Sequence, residues 1–222
     1  MLISDQKKFI FLHNPKCAGT TVRQLLMPYE DRNNHYWMFE NVLGYKFDKA
    51  HMSLSTFRNF NTSDFELLEK YFTFGFVRNP YSRAVSAFSE TNMKLYNDFI
   101  NGDKREEFLE RLNNYCAKLT ERNTTGFNVG FRHSIQQNKM FYFGGKCKAD
   151  LIIKLEDLDS GLNKLSSLHV DIFNALKDIN SKKRNQKPIK NSPENLLTKS
   201  SIDNLNRVYH DDFVLFDYDK IN

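Results

Sequence analysis

"KFIFLHNPKCAGTTVRQLL", residues 7 to 25, decides the fold. Its apolar start, "KFIFLH", is bounded by Asn14 and Pro15, and "TTVRQLLM" beyond the loop sets Val22, Leu25 and Leu26 at helical spacing. The order is strand, loop, helix. Between them, the small residues Ala18 and Gly19 let the backbone come close to a ligand, and successive amides at a helix amino terminus donate toward negative charge. Lys16 adds a mobile ammonium, and the Thr20 and Thr21 hydroxyls add donors at the start of the helix. Such a loop suits a phosphate or a sulfate; a purely structural loop with one exposed lysine is the plainer alternative.

The pattern recurs downstream. "TSDFELLEKYF", residues 62 to 72, has helical spacing with a capping box from Ser63 to Glu66, and "FTFGFV" after it predicts a buried strand. A second loop, "RNPYSR", then opens a second helix through "AVSAFSET", with Pro80 placed for the first turn. "REEFLERLNNYCAKLTE" carries Phe108, Leu109, Leu112, Tyr115, Cys116 and Leu119 on one stripe, predicting a core helix against the sheet. "DLIIKLEDL" is a third strand, and "LTKSSIDNLNRVYHDDFVLF" a late helix closing on an aromatic tail. Strands separated by helices imply an α/β layer fold with parallel pairing. Ligands in such folds gather at the carboxyl ends of strands, where both loops, 14 to 21 and 78 to 83, fall.

With 222 residues, 40% of them hydrophobic and 20 of them Phe, the chain suits one globular domain spanning 1–222. A net charge of +5 fits either a polyanion partner or a basic soluble surface, and the basic positions 182, 183, 184, 187 and 190 fit a solvated loop. Cys17, Cys116 and Cys147 form no CxxC and no paired framework, so a reducing, cytoplasmic setting is expected. A luminal, membrane-associated setting applies instead if the chain is a trimmed catalytic part. Neither a membrane-length apolar span nor a secretory leader is legible, and no nucleic-acid partner is expected. The sequons at Asn61 and Asn123 argue little in an Asn-rich chain.

Three chemistries could use the first loop. The nucleoside-triphosphate loop G-x-x-x-x-G-K-[ST] places Lys directly after its last Gly, whereas Lys16 precedes Gly19 by three positions. A cysteine phosphatase is the second, because five residues separate Cys17 from Arg23, the spacing of a thiolate cradle and its phosphate-binding arginine. Such enzymes also want an Asp general acid, often in an Asp-Pro loop, and the chain has no Asp-Pro.

The third accounts for both loops. "FLHNPKCAGTT" resembles the 5′-phosphosulfate signature of PAPS-dependent carbohydrate sulfotransferases, close to hIPKTAGTS, and "FGFVRNPYSRAVSAF" resembles their 3′-phosphate segment, RNPxxRxxSxx. The likeness continues through "AHMSLSTF", "LIIKLEDL" and "RVYHDDFVLFDY", and in layout is nearest the heparan sulfate 2-O- and chondroitin 4-O-sulfotransferases. Cys17 stands where that family usually has Thr, and Thr21 where it often has Ser; neither change removes an amide donor. Residues 92 to 150 do not align.

The resemblance implies a P-loop-like three-layer fold, a central mainly parallel sheet flanked by helices. It implies transfer of a sulfuryl group from PAPS to a carbohydrate hydroxyl, releasing PAP, with no metal. Lys16, Cys17, Ala18, Gly19, Thr20 and Thr21 would hold the phosphosulfate, Arg78 and Ser86 the 3′-phosphate, and His51 would be the base. Arg83 could also reach the ligand or lie on a helix surface, and His133 is a competing base or acceptor-binding residue. A non-catalytic nucleotide-binding protein stays open as the runner-up beside the phosphatase.

Overall fold

The computed structural model describes residues 1–37, 39–42, 44–122, 131–179, 192 and 195–222. The basic positions 182–190 and the sequon at Asn123 lie outside them. Along the chain the elements begin with strands β1 (Leu2–Ser4) and β2 (Phe9–Leu12), helix α1 (Gly19–Leu26), strands β3 (Phe39–Val42) and β4 (Tyr45–Asp48), and helices α2 (Leu54–Phe60) and α3 (Thr62–Phe65). Strand β5 (Phe72–Val77) precedes helices α4 (Pro80–Thr91), α5 (Met93–Ile100) and α6 (Arg105–Ala117). Then come α7 (Asn138–Phe141), β6 (Tyr142–Phe143), β7 (Lys146–Cys147), β8 (Leu151–Lys154), α8 (Leu158–Leu168), α9 (Val170–Leu176), α10 (Lys199–Val208) and α11 (His210–Leu215).

Two compact units divide the chain: Met1–Arg78 with Gln137–Arg184, and Asn79–Gln136 with Asn185–Asn222. The first holds the central sheet, in the order β1-β2-β5-β8, parallel except for the edge pair β1/β2. Its three parallel strands are those foreseen from sequence. Side chains alternate across each strand. Phe11 pairs with Phe74 and Phe74 with Leu151, while Phe76 pairs with Ile153. With Phe9 these form one apolar face, which Val22 and Leu26 of α1, Leu162 and Leu165 of α8, and Ile172 and Leu176 of α9 cover. On the opposite face, Gly75 is where the sheet meets Phe141 of α7. A Cβ at Gly75 would lie 2.5 Å from that ring and 2.9 Å from the Leu12 carbonyl, so the position tolerates no side chain.

Three local expectations change. The helix at residue 62 is capped by Asn61, whose Oδ1 accepts from the Asp64 N–H, so no Ser63 capping box forms. The late helix breaks at Tyr209 into α10 and α11, with Thr198 capping α10. The apolar face of helix α6 packs among helices: Phe108, Leu112 and Cys116 join Phe88 of α4, Phe99 of α5 and Leu205 of α10 in an all-helical core within the second unit. Its apolar stripe predicted burial correctly and the partner wrongly, because periodicity carries no information about what covers a face.

Candidate active site

Strands β2 and β5 are parallel neighbours in a register that sets Leu12 opposite Gly75, so the loops after Leu12 and Val77 leave one edge of the sheet side by side. Asn14 joins them: its Nδ2 donates to the Phe76 carbonyl at 3.0 Å and to Gln137 Oε1 at 3.0 Å.

The first loop is wound tightly. Lys16 and Ala18 both sit in the left-handed region, at φ 64° and 58°, a conformation that costs a non-glycine residue about 1 kcal/mol or more and is found mostly at functional turns. Ala18 is the N-cap of α1 and supplies no side-chain acceptor, and the first-turn amides of any helix lack intrahelical partners. Thr20 is exposed and Thr21 half-buried at this end. Gly19 has a reason beyond ligand approach: a Cβ there would fall inside the His13 imidazole.

Lys16 is half-buried. Burial pulls its pKa down to about 8; Arg78 pulls in the same direction and Cys17 opposes them. The Arg78 guanidinium is thus a near neighbour of the Lys16 ammonium. Arg78 is half-buried and has neither an ion pair nor a side-chain hydrogen bond among the described residues. Its peptide is fixed instead: Gln137 Oε1 accepts from the Arg78 N–H at 3.0 Å, and Gln137 Nε2 donates to the Arg78 carbonyl at 2.9 Å. A strained helix amino terminus, a lysine and an uncompensated arginine on one strand edge make a donor set that fits a ligand with two anionic groups, as PAPS is.

His51 ends the 3-10 turn that follows β4. Its Nδ1 lies 2.7 Å from Asp48 Oδ2, and Asp48 Oδ1 accepts from the Ala50 N–H at 3.0 Å. A carboxylate at Nδ1 fixes the proton on that nitrogen and leaves Nε2 as the acceptor, the arrangement a general base needs. The His51 ring stands 4.8 Å from that of His13, which stacks on Trp37 at 5.1 Å. His13 thus lies between His51 and the amino terminus of α1. Nothing in the sequence marked this placement of His13; Asp48 was also missed, although the spacing in "DKAH" was the available signal.

Other candidates stand differently. Cys17 is 1% exposed, within the apolar cluster under the sheet, and accepts from Asn14 Nδ2 at 3.2 Å. Arg23 stacks on Trp37 at 4.5 Å and bonds Asn34. A nucleophile must meet its substrate, so the pair makes no open phosphatase cradle. In the second unit, Ser86 is half-buried on α4, behind a cap in which Asn79 Oδ1 accepts from the Tyr81 and Ser82 amides. His133 is buried there, and Arg83 is buried too, against the His133 carbonyl at 3.3 Å, Asp212 at 3.9 Å and the Tyr209 ring. Of the two alternatives foreseen for Arg83, the helix surface does not match its burial.

Among the described residues no group of three or more His, Cys, Asp or Glu is placed to hold a metal, and no helix is long and apolar enough to cross a membrane. A family model described as "Sulfotransferase family" matches residues 1–219. No curated protein and no solved structure gave a significant match.

Proposed function

The chain belongs to the sulfotransferase family, and from that premise we propose that it moves a sulfuryl group from PAPS to a carbohydrate hydroxyl and releases PAP. One observation carries this reading above all: Lys16 and Arg78 act on each other at a single strand edge, where the amino terminus of α1 also opens. One nucleotide with a 5′-phosphosulfate and a 3′-phosphate satisfies both cations.

In the reaction the acceptor oxygen bonds to sulfur as the bond from sulfur to the 5′-phosphate oxygen breaks. The acceptor proton goes to His51 Nε2, and Asp48 stabilises the imidazolium through Nδ1. Negative charge gathers on the departing phosphate, where the Lys16 ammonium and the helix amides oppose it; as in phosphoryl transfer, positioning and charge stabilisation do most of the work. Sulfur-labelled PAPS with a panel of glycans tests this directly. Label should appear on a glycan, and PAP in equal amount. Release of PAP without labelled glycan, or transfer that survives Lys16→Ala, would contradict it.

A further inference from the structure

We propose that Gln137 is the positioning residue that sets the separation of the two anion sites, by holding the Arg78 peptide and the Asn14 side chain on one buried carboxamide. This rests on the two-anion reading above, and it names how the spacing is kept.

Gln137 is fully buried. Its carboxamide meets the Arg78 peptide as a neighbouring strand would, one acceptor to the N–H and one donor to the carbonyl, just past the point where the β5 ladder ends at Val77. The same Oε1 takes the Asn14 amide, and Asn14 Nδ2 also reaches the Phe76 carbonyl and the Cys17 sulfur. One side chain, 59 residues from Arg78 and 123 from Asn14, thus ties the second loop to the root of the first. Both of its polar atoms are used within the protein, so its part in catalysis runs through Arg78 and Lys16. A peptide bonded on both its N–H and its carbonyl has little freedom to turn, and the Arg78 guanidinium is aimed accordingly.

The test uses the full chain with Gln137→Met and Gln137→Asn. Three quantities are read: the PAP dissociation constant by calorimetry, KM for PAPS against kcat, and the titration midpoint of Lys16 by carbon NMR of labelled lysine, assigned with Lys16→Arg. In Gln137→Met, PAP should bind about tenfold more weakly, equivalent to roughly 1.4 kcal/mol. KM should rise by a similar factor with kcat changed less than about threefold, as expected for lost uniform binding. The Lys16 midpoint should move up from about 8 and stay below the ordinary lysine value, because burial still lowers it while Arg78 no longer holds its place beside it. Gln137→Asn, too short to keep the bonds to both Arg78 and Asn14, should show the same changes at smaller size, and it carries the test if the Met variant does not fold. A folded variant that melts earlier but keeps its PAP affinity, KM and Lys16 midpoint would overturn the proposal and leave Gln137 purely structural. If the wild-type chain binds no PAP, the nucleotide reading fails, while the Lys16 midpoint still decides the role of Gln137.

Discussion

Arg78 and Arg83 lie five residues apart in one motif, "RNPYSR", and their surroundings are opposite. Arg83 is 1% exposed in an all-helical core, with Asp212, the Tyr209 face and the His133 carbonyl around its guanidinium. Arg78, at a strand edge, has no acidic partner among the described residues and presses instead on a second cation, Lys16. Removing one partner of a buried ion pair is destabilising, because it leaves the other charge in the interior. Two cations set close together at a strand edge repel one another, and a bound anion relieves that repulsion.

The sharpest way to break this contrast is Lys16→Ala, which should cut sulfuryl transfer by about 10³-fold, the size expected for removing a group that opposes transition-state charge. It should not lower the stability at pH 7, since the lysine is held below its ordinary pKa and its charged form is the disfavoured one. A denaturation curve beside the rate assay checks both halves. Arg83→Met should do the reverse. It removes the cation beside the buried Asp212 carboxylate and should cost about 3 kcal/mol of unfolding free energy, read from the urea midpoint. Next in size, His51→Ala should lower kcat by about 10²-fold and leave PAP affinity unchanged, because the base touches the acceptor and not the nucleotide.

How much of this was legible in sequence differs between the two units. In the first, three parallel strands, two loops and a lysine could be read from "FIFL", "FTFGFV" and "LIIK", because fully buried parallel strands announce themselves as continuous apolar runs. The short edge strand Leu2–Ser4 and the hairpins β3/β4 and β6/β7 carry no such signal. In the second, helix α6 was legible as an element, but its neighbours were not. The site followed the same rule. Residues that donate through the backbone, 16 to 21, were marked by loop composition. Asp48, His13 and Gln137 act through contacts that depend on tertiary placement, up to 123 residues away along the chain for the Gln137–Asn14 bond.

Two smaller effects sharpen the picture. Lys16 in the free protein loses its proton near pH 8, and a bound anion favours the charged form; PAP affinity should therefore be flat below about pH 8 and fall as the pH rises above it, at most tenfold per unit. In Lys16→Ala that inflection should vanish. The contribution of Lys16 to unfolding free energy is unfavourable below about pH 8 and shrinks between there and the model-compound value, so the gap in stability between wild type and Lys16→Ala should narrow over the same interval. Smallest of all, Cys17→Thr should change sulfuryl transfer by less than about threefold, while costing about 1 kcal/mol for the added polar group at a buried position.

The most direct measurement is a crystal structure with PAP. The 5′-phosphate should lie about 3 Å from Lys16 Nζ and the amides at the start of α1, with the 3′-phosphate on the Arg78 guanidinium. A nucleotide that touches only one of these two cations, or that binds away from the edge where β2 and β5 end, would contradict the shared site.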